Sequence, residues 1–472
     1  MIPRATFARS TWIVATIVAV FHLATAAVYS YHRDELYYLA SGRRLAWGYV
    51  DQPPLTPFLY RVSDTLFGSS LLGLRVIPAC LHAGLVVIIA LLARELGGDH
   101  RAQVVAAIGA AVAPMLVTTG HFLTTVTPEL LAWSAITLVV VHIINGGDPK
   151  WWLAVGALAG LGMLDKWTTG FLLVGLTVGL LIVPDRDVLR TPWLWAGIGI
   201  AFVMWLPNLL WQADHGWPQF EVASGLRNPT EALFTAPGSL VLAGAAVILA
   251  IPGLWWLIRS EDASHYRALA IAFGVIVVLV TATQGKPYYA GVFTPVLFAA
   301  GATAAVTTST TWVTAMVAWG LVSLPLALPM LPLSTADGVR HVNKEITEMV
   351  GWHQLVDTAD TVYAQHPGAT VLTRNYGEAG AIELLGKPMG MPQPISGHMT
   401  YWYWGHPSGR SADTIVVGYD EATLRQWFGD VQLAATFRSP EGIHNEEDGV
   451  SIWVCRDQLA DWDTLWPDIR HF

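Results

Sequence analysis

Two acids follow the first apolar run of this 472-residue chain, in Tyr31-His32-Arg33-Asp34-Glu35-Leu36-Tyr37-Tyr38. Carboxylates at the mouth of a membrane helix are costly against lipid and stable against a wet cavity. In such a cavity Asp34, with Glu35 beside it, can take a proton from an acceptor hydroxyl or amine. The same pair also suits the first turn of a helix, where the dipole favours acids. Spacing alone leaves these two readings even. A third acid, Glu129, heads an apolar run in Thr127-Pro128-Glu129-Leu130-Leu131. It is either a helix cap or a second carboxylate converging with Asp34 on one cavity. Asp51, ahead of Gln52-Pro53-Pro54, reads as a turn and cap residue.

The candidate cations are Lys166, in Leu164-Asp165-Lys166-Trp167-Thr168, and Lys286, in Gly285-Lys286-Pro287-Tyr288-Tyr289. A lysine at the membrane boundary can simply snorkel. It can also hold a lipid phosphate as a point charge. Asp165 stands beside Lys166 and can partly neutralise it. The run Tyr401-Trp402-Tyr403-Trp404 can stack on a sugar ring, or it can dock the tail onto the membrane domain. No Walker motif, GxGxxG, HExxH or GxSxG stands in a usable context, so no nucleotide site is indicated.

These residues need elements to position them. The chain is 53% hydrophobic and 13% charged, against about 25% charged in an ordinary soluble protein. Apolar runs near the roughly 20 residues that a bilayer requires recur up to position 332. Eleven transmembrane helices are expected, at 11–30, 71–93, 102–119, 128–145, 151–165, 168–184, 192–211, 238–258, 268–284, 289–306 and 312–331. With the N-terminus inside, the inner loops hold Arg4, Arg9, Arg94, Arg101, Lys150, Arg186, Arg190, Arg259 and Arg267. The short outer loops hold Lys166, Arg227 and Lys286, which is the expected bias. The long outer loop 31–70 breaks it with Arg33, Arg43, Arg44 and Arg61, and an anionic ligand is one reason for basic residues there. The first run reads as a retained signal anchor. The tail 333–472 then lies outside. It alternates short β-rich runs (Thr370–Thr373, Thr414–Val417, Val431–Phe437, Ser451–Cys455) with helical patterns (Asn343–His366, Glu378–Leu385, Glu421–Phe428), as a small α/β domain does. A net charge of −9 without a basic tract argues against nucleic acid. Cys80 and Cys455 form no ligand spacing.

Taken in order, several pieces match a known pattern. They are Asp34-Glu35 with Tyr37-Tyr38, Asp51 with Pro53-Pro54, Glu129, Gly162 through Lys166, and Pro207-Asn208-Leu209-Leu210-Trp211 with His215-Gly216-Trp217-Pro218. Gly285-Lys286-Pro287-Tyr288-Tyr289 and Asn375-Tyr376-Gly377-Glu378-Ala379-Gly380-Ala381 complete the set. The chain resembles the C-type (GT-C) membrane glycosyltransferases. More narrowly, it resembles the bacterial protein O-mannosyltransferase and aminoarabinose-transferase family, glycosyltransferase family 39. The resemblance implies a polytopic helical enzyme in the cytoplasmic membrane. Such an enzyme takes a sugar from a polyprenyl-phosphate carrier and transfers it, with inversion, to a protein, lipid or envelope glycan at the outer face. It makes Asp34 the catalytic acid of the loop, with Glu35 as its neighbour. Glu129 stands where relatives carry Asp, which leaves its catalytic or metal-coordinating role open. Lys166, Lys286, Tyr288, Tyr289 and Arg33 are the implied donor-phosphate residues, with Arg43 and Arg44 behind them. A divalent cation is the one cofactor left open.

A transporter or flippase is the alternative from another class. It calls for charges at the midplane and inverted repeats, whereas these charges fall at the outer boundary and no repeat is visible. A non-catalytic membrane scaffold is the third reading, and it requires no cavity behind the first loop.

Overall fold

A computed structural model describes residues 5–183, 186–304 and 309–472. Arg4 and the far ends of the predicted spans 168–184 and 289–306 lie outside the described residues. The chain separates into two compact units. One is Met1–Ala26, Ala46–Thr56 and Leu74–Leu328; the other is Ala27–Leu45, Pro57–Gly73 and Pro329–Phe472. Most of loop 31–70 therefore groups with the tail rather than with the helices that flank it in sequence.

The first unit is helical. Among the described residues five helices are long and apolar enough to cross a bilayer: Leu71–Glu95, Val126–Ile144, Pro192–Asp214, Ser264–Ala282 and Thr310–Ala327. Two bent pairs raise the count to seven if each is one span. They are His100–Val112 with Pro114–His121, bent by 62°, and Thr235–Val241 with Gly244–Arg259, bent by 111°. Ser10–Thr25, Trp151–Asp165, Thr169–Ile182 and Thr294–Thr303 are apolar but shorter. The expected eleven spans thus become five to seven by length and composition. The breaks have local causes. Pro114 lacks an N–H and pushes Ala113 out of the helical region, to ψ 122°. At the second break Gly244 adopts a positive φ.

Large apolar side chains face outward along these helices: Trp195 is 70% exposed, Val203 66% and Val322 70%. A belt of this kind is untenable in water and is what hydrocarbon requires. The chain is a multi-pass membrane protein. Inside the unit, small residues let helices close on one another. A Cβ at Gly197 would lie 2.3 Å from the Trp152 carbonyl oxygen, and one at Gly156 would lie 2.1 Å from that of Gly197. An apolar groove of about 400 Å³ runs beside this crossing, lined by Val155, Gly156, Leu176 and Trp195 among others. It suits hydrocarbon rather than chemistry.

The second unit is built on a five-stranded sheet. Its strands are β1 (Thr370–Thr373), β2 (Ile395–Ser396), β3 (Thr414–Val417), β4 (Phe428–Thr436) and β5 (Ser451–Gln458), in the order β2-β1-β3-β5-β4. β1 pairs parallel with β2 and β3, and β5 runs antiparallel to β3 and β4. Alternate residues serve opposite faces. Val371, Ile415, Val417, Ile452 and Val454 meet Leu355, Val356 and Ala359 of the helix Trp352–Tyr363. Leu372, Val416, Trp453 and Cys455 meet Trp462, Leu465 and Trp466 of the helix Trp462–Ile469. The expected α/β tail is present, with Asn343–His366 helical only over Trp352–Tyr363 after a short 3-10 turn.

The first core also contains Leu36, 1% exposed. It belongs to the helix Arg33–Arg43, hereafter the loop helix. Residues 33–43 are thus a structural part of the tail domain.

Replacing Gly197 by Leu forces the two helix backbones apart. We expect this variant to lose about 1–3 kcal/mol of stability, read as a lower thermal unfolding midpoint in detergent, whereas Gly199→Leu, where a Cβ meets nothing, should leave the midpoint near wild type.

Candidate active site

The chemistry-bearing residues fall into two clusters, one in each unit. In the helical unit Glu129 is fully buried in the first turn of Val126–Ile144. Lys166 follows the end of Trp151–Asp165, and its Nζ lies 3.4 Å from Glu129 Oε2. The Thr168 hydroxyl donates to the other oxygen of Glu129. Above Lys166 stand two rings, with Nζ 4.8 Å from the centre of Tyr288 and 4.6 Å from that of Tyr289. Aromatic faces attract a cation without using its donors. Among the described residues neither Lys166 Nζ nor Glu129 Oε2 makes a hydrogen bond of good geometry. The ammonium therefore keeps N–H donors available to an anion.

The surroundings fix this cage. Asp165 is buried and accepts from Thr56 Oγ1 at 2.7 Å, and no ion pair with its neighbour Lys166 forms among the described residues. The mutual neutralisation expected of Asp165 and Lys166 is thus replaced by the pair with Glu129. Asn208 donates to the Trp47 carbonyl at 2.9 Å and accepts from Trp167 Nε1 at 3.0 Å. Gln212 donates to the Tyr49 carbonyl at 3.0 Å. A Cβ at Gly48 would strike the Trp211 ring at 2.5 Å. The Pro207–Trp211 run thereby grips residues 47–49.

In the second unit Asp34 sits in the first turn of the loop helix with its side chain 28% exposed. Its Oδ1 accepts from the Tyr376 hydroxyl at 2.8 Å. Glu35 is fully buried and closes a capping box: its Oε2 accepts from the His32 backbone at 2.8 Å while His32 Nδ1 accepts from the Asp34 N–H. Glu35 thus starts the loop helix. Arg33 is also buried. It pairs with Glu446 and, at 3.6 Å, with Glu348, and it lies 5.1 Å from the centre of the Tyr376 ring. Arg44 makes a two-pronged pair with Glu383 at 2.9 and 3.0 Å and covers Trp404 at 4.5 Å. Arg43 bonds Asp64 and Ser69. Arg33, Arg43 and Arg44 are thus held by carboxylates of their own unit.

Burial shapes the titration of this nest. Burial lowers Arg33, but the Tyr376 hydroxyl and the Glu447 and Glu446 carboxylates outweigh it and raise the guanidinium further. Burial pushes Glu447 up to about 7 against the pull of Arg33. It pushes Glu378 up to about 8 although the Asn375 and Arg374 N–H groups favour its charged form. For His32 burial works downward, yet the Glu345 hydrogen bond and the carboxylates of Asp34, Glu345 and Glu35 raise it.

Comparison with known proteins follows from this geometry. Residues 51–211 match the family model described as dolichyl-phosphate-mannose-protein mannosyltransferase. No curated protein sequence matches the chain. Among solved structures, ArnT from Cupriavidus metallidurans in the apo state aligns with a TM-score of 0.65 at 15% identity, over 94% of this chain and 97% of that one. ArnT bound to undecaprenyl phosphate aligns at 0.62 and 16%, over 95% and 98%. The arabinofuranosyltransferase AftD from Mycobacteria aligns at 0.55 and 15%, over 96% of this chain and 40% of that one. The fold is that of the GT-C glycosyltransferases. The resemblance read from residues 34–381 extends in three dimensions over nearly the whole chain.

Within the GT-C fold, the structure brings Lys166, Tyr288, Tyr289 and Glu129 together. Lys286 is half-buried two residues before Tyr288, and its ammonium has no ion pair among the described residues. Tyr376, Thr168, Glu446 and Glu348 are the participants that sequence reasoning missed. Asn375-x-x-Glu378 was a visible signal for one of them: it is a capping box that starts the helix Tyr376–Ala381.

Glu447 and Glu378 hold protons in the folded unit that they lose in the unfolded chain above the ordinary value of 4.5. Stability must therefore fall as pH rises from about 4.5 to 8, by at most about 1.4 kcal/mol per unit per group. His32 acts in the same direction, since its raised value favours the folded unit below 6.5. Hydrogen exchange at β1 and Tyr376–Ala381 should be slower at pH 5.5 than at pH 8 after correction for the intrinsic rate. Glu447→Gln should flatten that difference.

Proposed function

We propose that this chain is a glycosyltransferase of the cytoplasmic membrane that moves a sugar from a polyprenyl-phosphate carrier to an acceptor at the outer face. The observation that carries the reading is the Lys166 cage: a buried ammonium between two tyrosine faces, with donors unspent, in an apolar helical unit. An anion tethered to hydrocarbon is the ligand such a site suits. A protein of the same fold, ArnT, was solved with undecaprenyl phosphate bound, which supports a polyprenyl carrier here.

In this reading Asp34 accepts the acceptor's proton as the acceptor oxygen or nitrogen attacks the anomeric carbon. The bond from that carbon to the phosphate oxygen breaks, and the polyprenyl phosphate leaves with the electron pair, so the anomeric centre inverts. Lys166 steadies the developing negative charge, and Lys286 is a second cation for the same phosphate. Glu129 and Thr168 hold Lys166 in place, the tyrosines shield it, and Glu129 takes no proton. Among the described residues no group of three or more His, Cys, Asp or Glu is placed to hold a metal ion. No step is assigned to a divalent cation. Counting the four shorter apolar helices as spans restores the eleven-span topology, with the N-terminus inside and the tail outside.

Membranes containing the chain, supplied with radiolabelled polyprenyl-phosphate mannose, arabinose or galactose, test this. Label should pass to an acceptor with one donor. Asp34→Asn should lower transfer by at least about 100-fold, and Lys166→Met should raise the apparent KM for the donor by about tenfold or more. Equal transfer by wild type and Asp34→Asn removes Asp34 as the base. Absence of transfer from every donor favours a transporter or scaffold.

A further inference from the structure

We infer that Tyr376 is a positioning residue for Asp34, so that the C-terminal domain is a working part of the transfer reaction rather than an acceptor-sorting appendage. The inference rests on the reading of Asp34 as the base. Its own support is geometric. The Tyr376 hydroxyl donates to Asp34 Oδ1 at 2.8 Å, across 342 residues of sequence. Among the described residues Asp34 Oδ2 carries no side-chain hydrogen bond, and its nearest charged neighbour is His32 Nδ1 at 4.0 Å. One oxygen is thus tied down while the other stays open to an incoming proton.

The tyrosine is itself immobilised, as a positioning group must be. Its backbone N–H donates to His398 Nδ1 at 3.2 Å, and its ring stacks on the His398 ring at 5.0 Å, which in turn stacks on His471 at 4.8 Å. The Arg33 guanidinium lies against the Tyr376 ring, and the Tyr37 ring packs at 4.8 Å. The helix Tyr376–Ala381 can approach the loop helix because Gly380 has no side chain: a Cβ there would lie 2.8 Å from Leu36 Cβ and 2.9 Å from its carbonyl carbon. Leu36 sits two positions after Asp34, so the close approach fixes the register that presents Asp34 to the hydroxyl. Glu378 caps the same helix, and its carboxylate lies so near Gly418 that a Cβ at that positive-φ residue would meet it at 2.4 Å. The Asn375–Ala381 motif is therefore explained throughout as a mount for Tyr376.

Tyr376→Phe keeps the ring and its stacking on His398 and removes only the oxygen that holds Asp34 Oδ1.

The experiment measures transfer in membranes with the labelled donor that the wild-type chain accepts, comparing Tyr376→Phe, Asp34→Asn and Thr400→Val. Thr400→Val removes the hydroxyl that accepts from Tyr37 of the loop helix at 2.7 Å and leaves Tyr376 intact. It is the control for a merely structural effect. Tyr376→Phe should lower maximal transfer about 10- to 100-fold and leave the donor KM within about twofold. Thr400→Val should leave both rate and KM close to wild type. Wild-type kinetics in Tyr376→Phe, or equal losses in Tyr376→Phe and Thr400→Val, overturns the positioning role while an inactive Asp34→Asn keeps the base. An active Asp34→Asn, or no transfer by wild type, overturns the base and the positioning role with it.

Discussion

A guanidinium taken out of water has to find its counter-charges close by, and Arg33 does so inside the tail domain. Glu446 and Glu348 pair with it, and Tyr376 lies against its face. Leaving such a guanidinium without any counter-charge would be costly, because the charge stays buried. The consequence reaches the next residue. Successive residues on a helix point about 100° apart, so turning Arg33 into the domain sets where Asp34 must point. The buried cation, the capping box of Glu35 and the insertion of Leu36 into the sheet's core together fix one end of the loop helix. Asp34 remains the partly open residue of that turn.

The helical unit solves a related problem differently. Lys166 is buried with one carboxylate, two aromatic faces and donors still free. Arg33 is enclosed by carboxylates of its own unit, whereas Lys166 is not. Two buried cations a reader of the sequence would treat alike are therefore unlike in chemistry. The difference lies in how completely each is neutralised, not in residue type.

Much of this was legible in the sequence. Apolar run length marks a multi-pass helical unit, and β-rich runs locate β1 and β3 to the residue. The pattern also marks Lys166 and the Tyr288-Tyr289 pair, although nothing in the spacing says that they meet across more than 100 residues. The role of the arginines in 31–70 was not legible. The partners of Arg33 and Arg44, which are Glu348, Glu446 and Glu383, lie some 300 to 400 residues away, and no periodicity links them. An anionic ligand stood as one reason for these arginines because the charges that satisfy them are invisible locally. Glu35 was open for the opposite reason: a capping acid and a reacting acid occupy the same helical position, and its bond to the His32 backbone shows the capping. The broken spans escaped because Pro114 and Gly244 interrupt runs whose composition stays uniformly apolar.

The division of labour between the two clusters follows from the medium each one needs. A phosphate-binding cation gains from a low dielectric, because its attraction to an anion strengthens as water is excluded. A general base needs the reverse. It must release the proton it takes, and a carboxylate sealed in an apolar site is neutralised rather than made reactive. Lys166 meets the first requirement, and Glu129, fully enclosed beside it, holds that ammonium in place. Asp34, partly open and mounted on the polar α/β unit, meets the second. Burial thus sets the two carboxylates in different media, Glu129 sealed beside Lys166 and Asp34 partly open on the unit that carries Tyr376.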